Sequence, residues 1–449
     1  MPRAHLRKTR RQITSRKVWR TRLVFWSGAV LVGLAATLLA IGGDHAGENF
    51  SQLLAISPYI PVVLTPLGLV LITWITRRFI PGAKGSGIPQ VIAALQMKHH
   101  SDRREILSIR IALGKGLLVI LGLFCGASIG REGPTVHIAA SITYYLSRLA
   151  HFPIHDLGRG LIIAGAAAGL AAAFNTPLAG IVFAIEEISR NYEKSTSGTI
   201  LTAVIIAGLT ALVIQGNYQY FGTVTSKLEL SQAIPVILAC GVIGGLAGGL
   251  FSTLLITGTR KLVSFRSKSP YLLALLCGLC LAGLGLASGG LTYGSGYEEA
   301  QRLISGGEST GASYALMKLS ATVISYWSGI PGGIFAPSLS IGAGVGAEIS
   351  NWFPAVPAAA VILLGMVAYF TGVVQTPITA VVIIMEMTAD QSLLLPLMAT
   401  ALIAEGVSKL INPKPIYRVL AMDFLRDVHR EKFHDGHEEK EKKEKHLSD

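Results

Sequence analysis

The chain has 449 residues, of which 51% are hydrophobic and only 14% charged, with a mean hydropathy of +0.53. A soluble domain averages about 25% charged residues, so this composition excludes an ordinary soluble protein and specifies a polytopic membrane protein. The formal charge of +13 is unevenly placed: residues 1–22 hold nine Lys and Arg and no acid, and the first acidic residue is Asp44.

A basic segment abutting an apolar span reads as cytoplasmic by the positive-inside rule, which explains it better than a nucleic-acid arm does. The run 23–42 reaches spanning length and favours an uncleaved first helix over a signal sequence. Apolar segments follow at about 53–76, 104–129, 134–150, 158–189, 197–215, 232–256, 271–289, 313–327, 331–349, 357–374, 377–388 and 391–411. Several fall short of the roughly 20 residues that cross a hydrocarbon core. Glycine is abundant, at 50 residues, and Gly and Pro interrupt the runs, as at Asn175-Thr176-Pro177. Broken helices at membrane depth are tolerated only where they are buried in protein or line an aqueous cavity. The expected fold is all-α. After Tyr417 an amphipathic stretch reaches Leu425, and a solvated mixed-charge tail closes the chain.

The four cysteines, Cys125, Cys240, Cys277 and Cys280, lie in apolar runs. Cys277-x-x-Cys280 has metal spacing, but no second pair completes it, and small packing residues are the better reading. His434, Asp435 and His437 sit in the solvated tail. No nucleophile–base pair or complete metal site is present, so the sequence points to no enzyme, cofactor or metal.

An internal repeat organises the chain. Gly130-Arg131-Glu132-Gly133-Pro134-Thr135 aligns with Gly333-Ile334-Phe335-Ala336-Pro337-Ser338, 203 positions later. Asn175-Thr176-Pro177-Leu178 through Glu186 aligns with Gln375-Thr376-Pro377-Ile378 through Glu386, 200 positions later. The expected organisation is a basic cytoplasmic segment 1–22, a first membrane half 23–215, a polar linker 216–231, a second membrane half 232–425 and a charged cytoplasmic tail 426–449. Transporters built of repeats place the substrate where the halves meet, with interrupted helices aimed at it.

Gly130-Arg131-Glu132-Gly133-Pro134 lies between two apolar stretches and feeds a helix N-terminus, where Pro costs no hydrogen bond. Unpaired N–H groups at such a terminus favour an anion, and Glu132 is itself an anion placed there. On its own, Glu132 reads equally as a helix cap at the membrane surface. Gly85-Ser86-Gly87-Ile88-Pro89 and Gly333–Pro337 are loops of the same character, the first opening a short helix, Gln90 to Leu95. Each terminus contributes roughly 0.3–1 kcal/mol to a bound anion, and up to ~2 when partly buried.

These three loops and Tyr417, in this order, resemble the signature set of the CLC family of chloride channels and chloride/proton antiporters. The resemblance covers residues 23–425, nearly the whole membrane region. It implies two inverted halves with broken and tilted helices, a homodimer with one pore per subunit, and chloride and protons as substrates. Glu132 resembles the external gating glutamate. Ser86 and Tyr417 resemble the hydroxyl donors to a central chloride, and Ile334 and Phe335 the residues whose amides bind it. Amides around Arg131, Glu132, Gly133, Phe335 and Ala336 are the expected lining of an external site. Glu187 matches the second, proton-transferring glutamate of the antiporters, where channels carry an apolar residue. In the repeat it faces Met387, so its carboxylate is particular to the first half. The resemblance therefore implies an exchanger, with a passive channel of the same fold as the alternative. Retention of Ser86 favours chloride. Lys115 matches a buried lysine of some relatives or snorkels to an interface, and Gln90 departs from a common Glu. A prokaryotic inner membrane, with both termini cytoplasmic, is the expected location.

Overall fold

The computed structural model describes residues 16–97, 100–149, 156–190, 194–216, 219–222, 228, 230–307 and 312–428. Among these, helices α1 to α9 are Arg16–Ile56, Ile60–Phe79, Ile88–Gln96, His100–Ile106, Ile109–Phe124, Glu132–Leu149, Asp156–Phe174, Pro177–Phe183 and Lys194–Gln215. Helices α10 to α18 are Leu230–Lys261, Val263–Lys268, Pro270–Ala287, Tyr297–Ile304, Ala312–Trp327, Phe335–Ser350, Ala358–Val374, Pro377–Thr388 and Leu394–Ile411. Residues 416–428 form α19. Among the described residues, seven helical segments are long and apolar enough to cross a bilayer, one of them running through α4 and α5; α7, α16 and α17 are apolar but shorter.

The repeat is visible in the packing. Helix α1 packs on α9 as α10 packs on α18, and α6 packs on α7 as α15 packs on α16. Across the halves, α2 meets α12 and α8 meets α17, each helix against its own counterpart. Two reciprocal contacts fix the relation. Gly130 N donates to Gly333 O and Gly333 N to Gly130 O, both at 2.7 Å. The Glu186 carboxylate accepts from Ile378 N (3.2 Å) and Thr379 N (2.7 Å) at the start of α17. The Glu386 carboxylate accepts from Leu178 N (3.0 Å) and Ala179 N (2.7 Å) at the start of α8. Each glutamate ends one helix and caps the first turn of the other, so the equivalent helices run in opposite directions. The halves are inverted. Even the turns match: Asn175 and Gln375, both left-handed at φ 55° and 56°, end α7 and α16.

Several boundaries differ from the sequence reading. The break expected after residue 42 is absent: α1 runs 41 residues to Ile56. Its polar stretch is amphipathic and buries Ala46 and Phe50, the latter edge-on to Tyr293 at 4.8 Å, so packing carries the helix through its glycines. The run 104–129 splits, with α5 ending at Phe124 so that residues 125–131 can reach Gly333. The apolar run from 331 starts its helix only at Phe335, and α3 begins at Ile88 rather than Gln90. The stretch between the halves is more than polar loop: Tyr220 and Phe221 are buried, and Phe221 N donates to Met387 O at 3.0 Å. Residues 429–449, including His434, Asp435 and His437, lie outside the described residues.

Candidate functional site

The interrupted segments converge on one buried region. Helices α6 and α15 start there, side by side through the Gly130–Gly333 exchange. Their first N–H groups have no intrahelical acceptor. Thr135 N returns to Arg131 O (2.9 Å) and Ser338 N to Ile334 O (3.0 Å), so both starts share one geometry. The third start, α3, is tied in by Gly85 N donating to Ile330 O and Gly332 N to Gly85 O, both at 3.3 Å.

Glu132 is 1% exposed. Its carboxylate folds back over Gly130 and lies beside the backbone N–H groups of Glu132 and Ala336. Neither oxygen makes a full hydrogen bond among the described residues. A carboxylate therefore rests across the starts of both helices, where an anion is favoured. The buried ring of Phe335, at the start of α15, packs with centroids 5.2 Å from Phe174 and 4.3 Å from Phe370.

The Ser86 and Tyr417 hydroxyls face one another, both buried, without a partner that meets full hydrogen-bond geometry. Two buried hydroxyls without a fully formed hydrogen bond are available as donors to an acceptor at this spot. Gly133 lines the same spot: a Cβ there would collide with Ser86 Oγ, so only glycine admits the loop. Gly87, at φ 110°, makes the turn into α3. Gln90 braces that turn, its Oε1 accepting from Gly87 N (3.0 Å) and its Nε2 donating to Lys84 O (2.5 Å). Position 90 thus keeps a bracing role while contributing no charge.

Glu187 sits apart from the helix starts, in a π turn, Ala184–Ser189, that continues α8. It is 1% exposed and its carboxylate has no hydrogen bond among the described residues. Arg190 is 3.8 Å away and Arg418 is within electrostatic reach. Tyr417 lies within electrostatic reach of both Glu132 and Glu187. The structure thus brings together Ser86, Glu132, Gly133, Ile334, Phe335, Ala336 and Tyr417. Of Arg131 only the backbone belongs here; its side chain turns away to Ala40 O (2.6 Å) and Asp44 (2.5 Å).

Lys115 is fully buried rather than snorkelling, with Nζ at 3.5 Å from Lys84 O and 3.3 Å from Gly85 O. Sequence reasoning missed its counterpart. Lys318, also buried, donates to Thr292 O (2.9 Å), Tyr293 O (3.1 Å) and Gly294 O (2.8 Å). The separation of 203 positions, the same as between the Gly130 and Gly333 motifs, was the signal that identifies it. Both lysines hold the loop that opens a short helix, α3 or α13. His137 Nε2 lies 3.2 Å from Ile106 O, behind the Gly87 turn. The cysteines are all free, and no cluster of His, Cys, Asp and Glu able to hold a metal occurs among the described residues.

Comparison with known proteins agrees with this geometry. Residues 68–409 match the family described as voltage gated chloride channel. The chain is 31% identical over 360 residues to the H(+)/Cl(-) exchange transporter ClcA of Vibrio cholerae, covering 77% of this chain and 76% of that one. It is 28% identical over 429 residues to ClcA of Yersinia pestis, covering 89% and 88%. A solved structure of a slow cyanobacterial Cl-/H+ antiporter superposes with a TM-score of 0.78 at 27% identity, over 90% of this chain and 98% of that one. A CLC-type fluoride/proton antiporter gives the same TM-score at 22% identity and bears on the fold alone.

Proposed function

The chain belongs to the voltage gated chloride channel (CLC) family, and from that premise we propose that it exchanges chloride for protons through the site built at its helix starts. The observation that carries this reading is the Glu132 carboxylate resting across the starts of α6 and α15. An ionised Glu132 mimics a bound anion and competes with chloride. A proton cancels the charge that holds it there, and the side chain gives way. Proton binding and chloride occupancy thus become alternatives at one place.

Chloride enters as substrate. Ser86 Oγ and Tyr417 Oη are its donors at the central position, with the amides of Ile334 and Phe335. The amides around Arg131, Glu132, Gly133 and Ala336 line the position next to Glu132. Partial charges at helix termini contribute about 0.3–2 kcal/mol each, enough together to offset part of the dehydration cost and weak enough for release. Glu187 serves as the second proton station. An unbonded buried carboxylate costs roughly 2.5–3.5 kcal/mol on insertion scales, and such groups in membrane proteins mark proton and ion pathways. Arg190, at 3.8 Å, and Arg418, within electrostatic reach, support the reading that this carboxylate can hold a negative charge when its proton leaves.

The protein is a multi-pass membrane protein whose relatives are transporters rather than enzymes. The bacterial relatives support a prokaryotic inner membrane, the basic start of the chain supports a cytoplasmic N-terminus, and a cytoplasmic C-terminus belongs to the same reading. The homodimer belongs to the same reading; chemical cross-linking in lipid is its test. No cofactor enters the scheme.

The test is uphill proton movement. In liposomes holding the purified protein, an imposed chloride gradient drives protons against their own gradient if the two are coupled. A passive channel moves chloride and leaves proton flux to the electrical potential alone. Glu132→Gln, permanently neutral, is expected to pass chloride with no coupled proton.

A further inference from the structure

Arg131 carries a full charge next to Glu132, and the structure shows where that charge is spent. Its Nη1 donates to Ala40 O and to Asp44 Oδ1 on α1, at 2.6 and 2.5 Å. The arginine stem lies along α1 beside Gly43, where a Cβ would sit in ordinary contact with Arg131 Cδ at 3.5 Å. The arginine side chain is only 13% exposed, whereas that of Asp44 is 58% exposed. Asp44 lies on α1 about 33 Å from Arg22 at the helical rise, which puts it at the membrane face opposite the basic start of the chain.

Along this line the charges alternate: the buried Glu132 carboxylate, the Arg131 guanidinium and the water-facing Asp44 carboxylate. One cation serves two anions. Its attraction for Glu132, and for a chloride that replaces Glu132, depends on how far Asp44 neutralises it. We infer that Asp44 is a positioning and tuning residue of the external anion site, holding Arg131 against α1 and limiting the positive field that reaches Glu132 and an arriving chloride. This rests on the proposed role of Glu132. The other titratable groups at this mouth are accounted for. His45 and Glu48 bond each other at 3.2 Å on the exposed side of α1. Tyr220 and Tyr297 lie within electrostatic reach of Arg131, their rings packed at 4.6 Å, and Glu298 lies near Tyr297.

The test uses Asp44→Asn, which keeps an oxygen acceptor for Arg131 and removes the charge. The full-length protein is studied in planar bilayers with each face titrated separately. With the field of Arg131 unshared, the external chloride half-saturation, measured at an external pH acid enough to protonate Glu132 and remove its competition, is expected to fall by roughly two- to fivefold, the range of partly exposed ion pairs. The internal value stays unchanged. Glu132 then holds its negative charge to lower pH, so the external pH dependence of transport moves toward acid. Asp44→Glu should behave as the wild type, and Glu48→Gln should do nothing. Should Asp44→Asn not fold, Asp44→Ser gives the same reading with a hydroxyl acceptor. Identical half-saturation and pH dependence in wild type and variant overturns the inference. So does a change equal on both faces, or a folded variant that has lost transport altogether, since either would make Asp44 a strut only. A wild type without proton coupling would instead sink the reading of Glu132 on which this rests.

Discussion

The two halves of the molecule agree at the contacts that join the fold and differ at the residues of the proposed chloride and proton path. Gly130 and Gly333 exchange equivalent hydrogen bonds, Glu186 and Glu386 cap each other's helix, and Lys115 and Lys318 grip equivalent loops. At the matching positions of the repeat, 203 residues apart for the first two pairs and 200 for the third, Glu132 corresponds to Phe335, Arg131 to Ile334 and Glu187 to Met387. An inverted repeat needs matching caps and close backbone approaches to join. The proposed proton path needs carboxylates on one side only, and Glu132 and Glu187 occur in the first half while Phe335 and Met387 stand at the matching positions of the second. Even the shared lysines have diverged: Lys318 meets three carbonyls within 3.1 Å, while Lys115 reaches two at 3.3 and 3.5 Å.

That divergence gives the largest expected effect. Lys318→Met strands three carbonyls that share one ammonium and is expected to cost about 3–5 kcal/mol, against about 1 kcal/mol for Lys115→Met. Denaturant titration in detergent reads both, and a larger loss at Lys115 would break the comparison. Next come the mutual caps. Glu186→Ala and Glu386→Ala each orphan two backbone N–H groups and should cost about 1–3 kcal/mol, with Glu186→Ala the larger because its carboxylate also accepts from Thr379 Oγ1 at 2.7 Å. Third, Gly133→Ala should cost about 1–3 kcal/mol of overpacking against Ser86, read as a roughly five- to hundredfold loss of chloride affinity by calorimetry. Ala336→Gly, its counterpart, should change affinity by less than about threefold, because shrinking that side chain leaves the amide in place.

Much of this was legible in the sequence because backbone geometry dictates residue type. Glycine at Gly87 and Gly133, proline at the helix starts and glutamate at the mutual caps leave a spacing that survives divergence. Lys115 with Lys318 was equally legible at the same spacing, yet one lysine in an apolar run attracts little notice until its partner's carbonyls are seen. Other features were beyond sequence patterns. The continuation of α1 through Gly42 and Gly43 depends on packing of Ala46 and Phe50. The π turn that carries Glu187 depends on how α8 meets its neighbours, since no residue type encodes it. The outward turn of Arg131 depends on Asp44, which is 87 positions away in the chain.

The central claim is that a carboxylate present in only one half couples protons to chloride. The direct measurement is the reversal potential of the purified protein in planar bilayers, under a fixed chloride gradient, with and without a pH gradient, for wild type and Glu187→Gln. The account predicts a wild-type potential that shifts with the pH gradient, and a Glu187→Gln potential pinned at the chloride equilibrium value while chloride still flows. A wild-type potential that ignores the pH gradient, or a variant that remains coupled, would contradict it.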